Sequence, residues 1–297
     1  MASQRVEFET WNVFTDRRFS GNPLGVVFGA DALSAEQMQA VTREFDYPET
    51  IFVLEPAAAA HDARVRIFTP GGELPFAGHP VVGVSCALSQ RADRDDDLLL
   101  ELPAGRFPVR VRREGEGGFA EFENPNLPAV HRGSPDPARI ERALSLPAGC
   151  VSRGAHRPRR AGAGIDFIYA RAGLEAVRDA RLDTAAWREL AIGEACGVLL
   201  YASGGEQPDI DWHVRMFAPH IGVPEDAATG SAAAALPAQV HAAGSLADGR
   251  HEWWVEQGVE MGRPSRIRVR VDVRREAIER VRVGGHAVPV MSGRMRV

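Results

Sequence analysis

The sequence predicts an α+β protein made of two β-rich halves, each wrapping one helix. Three observations predict it. One motif occurs twice, about half a chain apart. Short alternating apolar segments with strand periodicity far outnumber helical ones. A helix-compatible apolar run follows each copy of the motif.

The repeated motif reads Arg66-Ile-Phe-Thr-Pro70 with Ala77-Gly78-His79-Pro80, and again Arg215-Met-Phe-Ala-Pro219 with Thr229-Gly230-Ser231-Ala232. Each copy is Arg, apolar, Phe, small, Pro, then a polar loop and a Gly that opens an apolar run. The offset is 149 residues at the prolines and 152 at the glycines. A single repeat at that spacing indicates a duplicated domain, because solenoid repeats have periods of about 20–50 residues. Val65 to Phe68 and His213 to Phe217 read as strands that stop at Pro. Val81 to Leu88 reads as a helix with Pro80 in its first turn, where the missing N–H costs nothing. Ala232 to Ala243 reads as the second helix; its alanine run has high helix propensity, and Pro237 is expected to cap or kink it early.

The remaining elements follow in order. Arg5 to Phe14 alternates and reads as a strand, and Gly25 to Phe28 continues after the Gly21-Asn22-Pro23 turn. Ser34 to Glu44 reads as a helix, with Ser34 and Gln37 spaced for a capping box. Strands are expected over Ile51 to Leu54, Asp97 to Leu102, Phe107 to Arg112, Ile165 to Ala170, Gly197 to Tyr201, His251 to Val255, Arg266 to Val273 and Val281 to Val283. Thr184 to Ile192 reads as a helix. Asn124 to Pro137 is the best linker candidate.

The 297 residues suit two domains. Hydrophobic content of 44% and charged content of 25% are those of an ordinary globular protein. A net charge of −5, with arginines scattered as a solvated surface, leaves no electrostatic footprint for nucleic acid. No apolar run is long enough for a membrane span, and Met1 to Phe14 has no signal-peptide core, so cytoplasm is the expected compartment. Cys86, Cys150 and Cys196 are far apart, form no CxxC pair and read as buried structural thiols. The chain contains no lysine. That removes a pyridoxal-phosphate Schiff base and a P-loop from consideration.

Clefts between domains are favoured ligand sites, so the two loop-to-helix junctions are expected to face one. Helix N-termini carry free N–H groups that bind carboxylates or phosphates, which suits a small anionic metabolite as the partner. Titratable residues cluster near these junctions. His79 opens the first helix, Glu225 and Asp226 precede the second, Glu73 lies in the loop after Pro70, and Glu49 lies just ahead of an apolar strand. A carboxylate in an apolar setting can be tuned for acid–base work. Each also has a purely structural reading, as a helix cap or a surface group. There is no GxSxG, so Ser231 reads as a substrate hydrogen-bond donor and not a nucleophile. His213 and His220 lack metal-ligand spacing, and no GxGxxG follows a strand. No cofactor and no metal are expected.

Phe14-Thr-Asp16 with Phe19-Ser-Gly-Asn-Pro-Leu24, Glu49-Thr-Ile-Phe-Val53, Arg66 to Pro70, and Glu73-Leu-Pro-Phe-Ala-Gly-His-Pro80 form an ordered set. Gly222-Val-Pro-Glu-Asp-Ala-Ala-Thr-Gly-Ser-Ala232, Gln257-Gly258, Gly262-Arg-Pro-Ser265 and Val283-Gly-Gly285 complete it. Together they resemble the PhzF-like phenazine-biosynthesis isomerases, over nearly the whole chain. The resemblance implies a diaminopimelate-epimerase-like fold, with two pseudo-symmetric β-barrel-like halves each wrapped around a central helix. The first half would hold residues 1–126 plus a C-terminal return over 284–297, the second residues 127–283, with the site between them.

By the same resemblance, Glu49 is the proton-shuttling glutamate, and His79 and Asp226 are the polar catalytic residues. Gly78, Gly230 and Ser231 contact substrate at the helix starts. It further implies a homodimer and a substrate like trans-2,3-dihydro-3-hydroxyanthranilate. Gly25 and Ala227 depart from the usual alanine and proline. Ala77 and Thr229 stand where related epimerases carry two cysteines, which speaks against a two-thiol mechanism. Two alternatives remain: an epimerase or dehydratase of an amino or hydroxy acid, and a non-catalytic small-molecule binding protein.

Overall fold

The alternating segment at the start forms β1 (Arg5–Val13), and the tight Gly21 turn returns the chain as β2 (Asn22–Phe28). Gly21 has φ 64, and a Cβ there would stand 2.3 Å from the Val13 carbonyl oxygen, so only glycine fits. Helix α1 (Ala35–Phe45) begins with the full Ser34–Gln37 capping box that its sequence predicts. There follow β3 (Glu49–Leu54), β4 (Ala63–Thr69), β5 (Gly72–Leu74), α2 (Gly78–Ala92), β6 (Leu98–Leu102), β7 (Gly105–Glu114) and β8 (Gly117–Glu123). The computed structural model describes residues 5–133, 135–244 and 246–297. Met1 to Gln4, at the head of the stretch read for a signal peptide, and Ser134, in the expected linker, lie outside them.

The chain forms two compact units: Met1–Glu123 with Gly284–Val297, and Asn124–Val283. In the first unit β1 pairs with β2 antiparallel, β2 with β3 parallel, β3 with β4 antiparallel, and β4 with β6 parallel. Antiparallel pairs β6–β7 and β7–β8 continue the order. The C-terminal strand returns from Gly284 and pairs with both β8 and β1. That closes the sheet into a barrel. Helix α2 runs through it against β1, β2, β3, β7 and β8. It is buried on nearly every face, which is why its sequence is apolar all round. Gly83 lets it approach closely: a Cβ there would meet Leu24 at 2.4 Å and Val13 at 2.7 Å. Outside the barrel, α1 sets Met38 and Val41 against Val6, Val27, Phe52 and Phe68. Strands β2 and β3 are therefore buried on both faces, whereas β7 alternates between a buried and an exposed face.

The second unit contains β9 (Ala129–Val130), α3 (Pro137–Ala143), β10 (Arg159–Gly162), β11 (Asp166–Arg171), α4 (Leu174–Asp179) and α5 (Thr184–Arg188). It continues with β12 (Val198–Ser203), β13 (Trp212–Ala218), β14 (Val223–Asp226), α6 (Gly230–Ala242), β15 (Gly249–Gln257), β16 (Ser265–Arg274) and the start of β17 (Ala277–Arg296). Its pairing order repeats that of the first unit. Pair β10–β11 is antiparallel, β11–β12 parallel, β12–β13 antiparallel, β13–β15 parallel and β15–β16 antiparallel. Helix α6 lies against β9, β10, β11 and β16 and is buried almost throughout. On the outer face, α3, α4 and α5 pack Ile140, Val177 and Trp187 against Ile168, Val198 and Leu200.

Segments Arg66 to Pro70 and Arg215 to Pro219 thus occupy equivalent strands, β4 and β13, each followed through a short strand by a central helix. The α+β class with a helix at the centre of each half is the architecture observed. No helix among the described residues is long and apolar enough to cross a membrane.

Several expectations need correction. Pro237 does not end α6, which runs on to Ala242 with Pro237 buried. The loss of one backbone hydrogen bond is tolerated where the ring fills apolar space. Thr184 to Ile192 is helical only to Arg188, and the short strand expected at Val281 to Val283 is part of a 20-residue one. The arginines are not all solvated surface, since Arg159 and Arg215 are buried. Of the three thiols Cys86 is buried, while Cys150 and Cys196 are only half-buried.

Candidate active site

Glu49 is the first residue of β3 and not a loop residue; in the parallel β2–β3 pair it lies opposite Leu24. This places its carboxylate beside buried apolar strand residues while leaving the side chain 17% exposed. His79 is the second residue of α2, after the N-cap Ala77, so it is not itself the cap. Its Nδ1 lies 3.4 Å from Glu49 Oε2. Burial pulls the His79 pKa down to about 3, against a backbone hydrogen bond with Pro23 that raises it. The imidazole is therefore neutral at physiological pH. The start of β2, the start of β3 and the first turn of α2 thus bring Glu49, Gly78 and His79 together in the first unit.

The second unit carries the others. Asp226 is the last residue of β14, in register with Met216 of β13. Gly230 and Ser231 open α6, Gly230 buried and Ser231 half-buried. Thr229 Oγ1 donates to Asp226 Oδ2 at 2.7 Å. Gln257 holds the same loop: its Nε2 donates to the Asp226 carbonyl at 2.8 Å, and its Oε1 accepts the Thr229 N–H at 3.0 Å. The sequence reading missed Thr229 and Gln257 as parts of this arrangement. Gln257 stood in a quoted motif, but its partners lie 28 to 31 residues away and no spacing rule connects them.

Glu73 and Glu225, also weighed as acid–base candidates, belong to ion pairs instead. Arg66 binds both oxygens of Glu73 at 2.7 Å, and Arg215 binds both oxygens of Glu225 at 2.8 Å. Each guanidinium also lies over the phenylalanine of its own motif, Phe68 at 5.1 Å and Phe217 at 5.0 Å. The duplicated Arg and Phe are thus a clamp that ties the strand before each central helix to its neighbour. A Glu five residues before each helix-opening glycine was the signal for it.

His213, fully buried, lies between Glu256 Oε1 at 2.5 Å from Nδ1 and Glu260 Oε1 at 2.8 Å from Nε2. The carboxylates near it in sequence are engaged elsewhere, Asp209 with Arg266 and Asp211 with the Trp254 N–H, and the fold supplies two glutamates from far along the chain. Burial pulls its pKa down, but the two glutamates outweigh that and raise it from 6.5 to about 9. The folded-state value lies above the unfolded one. The stabilisation is therefore complete below pH 6.5 and is lost as pH rises through about 9. Urea denaturation across that window is expected to show stability falling with pH, with a markedly flatter profile in His213→Gln. An unchanged profile in the variant would contradict the assignment of the imidazolium.

Residues 11–293 match the family described as phenazine biosynthesis-like protein, PhzC-PhzF. A Mesorhizobium japonicum protein named an uncharacterized isomerase is 40% identical over 299 residues, covering 98% of this chain and 99% of its own. The trans-2,3-dihydro-3-hydroxyanthranilate isomerase of Pseudomonas aeruginosa is 35% identical over 286 residues, covering 95% of this chain and 96% of its own. A solved PhzF-family phenazine biosynthesis protein of Bacillus anthracis superposes with a TM-score of 0.88 over 99% of this chain and 100% of its own. At 23% identity that structure speaks for the fold alone. The matched residues take in Glu49, His79, Asp226 and both central helices, and the relatives in sequence carry the name isomerase. The chain belongs to the phenazine biosynthesis-like PhzC-PhzF family, and it is an isomerase.

Proposed function

We propose that the enzyme isomerises a small carboxylate-bearing metabolite of the trans-2,3-dihydro-3-hydroxyanthranilate type by acid–base proton transfer, without metal or organic cofactor. The observation that carries this reading is the Glu49–His79 contact at the start of a buried helix. Of the two, Glu49 is the proposed proton carrier, because the buried imidazole, with a pKa of about 3, stays neutral. Glu49 takes a proton next to an activated carbon and returns it elsewhere on the conjugated system. His79 holds the Glu49 carboxylate in place. In the first unit Gly78 offers an N–H to an anionic group; in the second, Gly230 and Ser231 offer N–H and hydroxyl donors to a carboxylate, and Asp226 receives an amino or hydroxyl group of the substrate. The relative named for this activity, at 35% identity, supports the substrate class. The family description supports a role in phenazine formation, and we further propose a homodimeric, cytoplasmic enzyme.

The test is direct. Purified protein is incubated with trans-2,3-dihydro-3-hydroxyanthranilate in D₂O containing EDTA and followed by NMR. The expected product has the same atoms with its double bonds moved. Loss of water would indicate a dehydratase, and inversion at one carbon an epimerase. Either product, or activity that requires an added divalent metal, would overturn the proposal.

A further inference from the structure

Thr229 is the N-cap residue of α6, yet its side chain makes no capping hydrogen bond. A threonine hydroxyl at this position ordinarily accepts an N–H of the first helical turn. Here it is turned toward Asp226 instead, and the buried Gln257 explains why.

The orientation of the Gln257 amide is forced by its backbone partners. The Thr229 N–H requires an acceptor, which Oε1 supplies, and the Asp226 carbonyl requires a donor, which Nε2 supplies. Nε2 also reaches Thr229 Oγ1 at 3.0 Å. An amide NH₂ only donates, so the hydroxyl accepts from it and must direct its own single proton elsewhere. That proton goes to Asp226 Oδ2, 2.7 Å away. The surrounding chain is gripped too. Ser265 Oγ donates to the Ala227 carbonyl at 2.8 Å. Gly258, at φ 76, lies so close that a Cβ would stand 2.6 Å from that same carbonyl oxygen. Glu256, the residue before Gln257, is fixed by His213 and by the Glu206 N–H.

We propose that Gln257 and Thr229 are positioning residues for Asp226. The directed chain from Gln257 through the Thr229 hydroxyl holds the Asp226 carboxylate in one rotamer as a hydrogen-bond acceptor, ready for the substrate's amino or hydroxyl group. The proposal rests on the recognition role given to Asp226 above. It also accounts for a threonine at this helix start: the side chain must donate to Asp226 and accept from Gln257 at once, which neither alanine nor valine can do.

Three substitutions test it, each examined by crystallography and by kinetics with trans-2,3-dihydro-3-hydroxyanthranilate. Thr229→Ser keeps the hydroxyl and should keep the Asp226 rotamer, with kcat/KM within about 3-fold of the parent. Thr229→Val should release the Asp226 carboxylate from its rotamer and lower kcat/KM roughly 10- to 100-fold, the range for a hydrogen bond to a charged group. Gln257→Glu keeps the acceptor for the Thr229 N–H but loses both donors, and should behave like Thr229→Val. In an Asp226→Asn background Thr229→Val should add little further loss, because Thr229 acts through Asp226. An Asp226 carboxylate that stays in place in Thr229→Val overturns the proposal, whatever the activity. So does a Thr229→Val loss that adds in full to that of Asp226→Asn. If Asp226→Asn is fully active while the carboxylate still moves in Thr229→Val, the recognition role of Asp226 is wrong and the hold on its rotamer stands. If the parent enzyme does not turn over this compound, the rotamer alone decides.

Discussion

Replacing Glu49 by Gln is expected to lower turnover by roughly 10²–10⁴-fold, the usual contribution of a general acid–base group. Gln keeps the size and hydrogen-bonding reach of Glu but cannot carry a proton. KM should change only a few-fold, because the lost interaction belongs to the transition state. The neighbouring histidine cannot take over. Its pKa of about 3 makes it too weak a base to remove a carbon-bound proton at neutral pH. Folding should be nearly unaffected: the backbone of residue 49 pairs with β2 whatever its side chain, and the carboxylate is partly exposed. Steady-state kinetics together with a thermal melt separate the two effects. A Glu49→Gln enzyme that turns over its substrate at the parent rate would falsify the assignment of the base.

The repeated motif was legible in the sequence because each of its residues has a distinct structural task. Arg66 and Arg215 grip Glu73 and Glu225, Phe68 and Phe217 lie beneath those guanidiniums, Pro70 and Pro219 follow the strands, and Gly78 and Gly230 begin the helices. Residues so constrained leave a pattern that survives duplication. What the sequence concealed depends on partners brought close only by folding. Glu256 and Glu260 lie more than forty residues from His213, and Gln257 lies far along the chain from Asp226. β8, a strand for which the sequence reading held no expectation, begins at Gly117-Gly118. The close packing shows why glycine is needed: a Cβ at Gly117 would stand 2.3 Å from the Ala287 carbonyl oxygen. At Gly25 the packing is looser: a Cβ there would lie 3.1 Å from Phe45 and 3.2 Å from Thr50, side chains that would have to give by a few tenths of an ångström.

The two copies of the Arg–Glu clamp should differ sharply in what they contribute to stability. Arg66 and Glu73 are 28% and 33% exposed, whereas Arg215 and Glu225 are 5% and 17% exposed. Arg215 also donates to the carbonyls of Val177, Arg178 and Ala180, and lies 3.8 Å from Glu260. Arg215→Ala therefore leaves a glutamate and three carbonyls without their donor in a largely water-excluded place. Breaking one partner of such a buried pair costs about 3–5 kcal/mol. For a chain or unit of this size that corresponds to a Tm lower by roughly 6–20 °C. Arg66→Ala, at a pair that water can reach, should cost about 1 kcal/mol or less. Calorimetry on the two variants makes the comparison, and a third variant identifies its cause. Replacing both partners by apolar residues, Arg215→Met with Glu225→Met, should recover part of the loss, because no carboxylate is then stranded at position 225. Equal Tm changes for Arg215→Ala and Arg66→Ala, or a double substitution no better than Arg215→Met alone, would show that burial of the charge is not what distinguishes the two clamps.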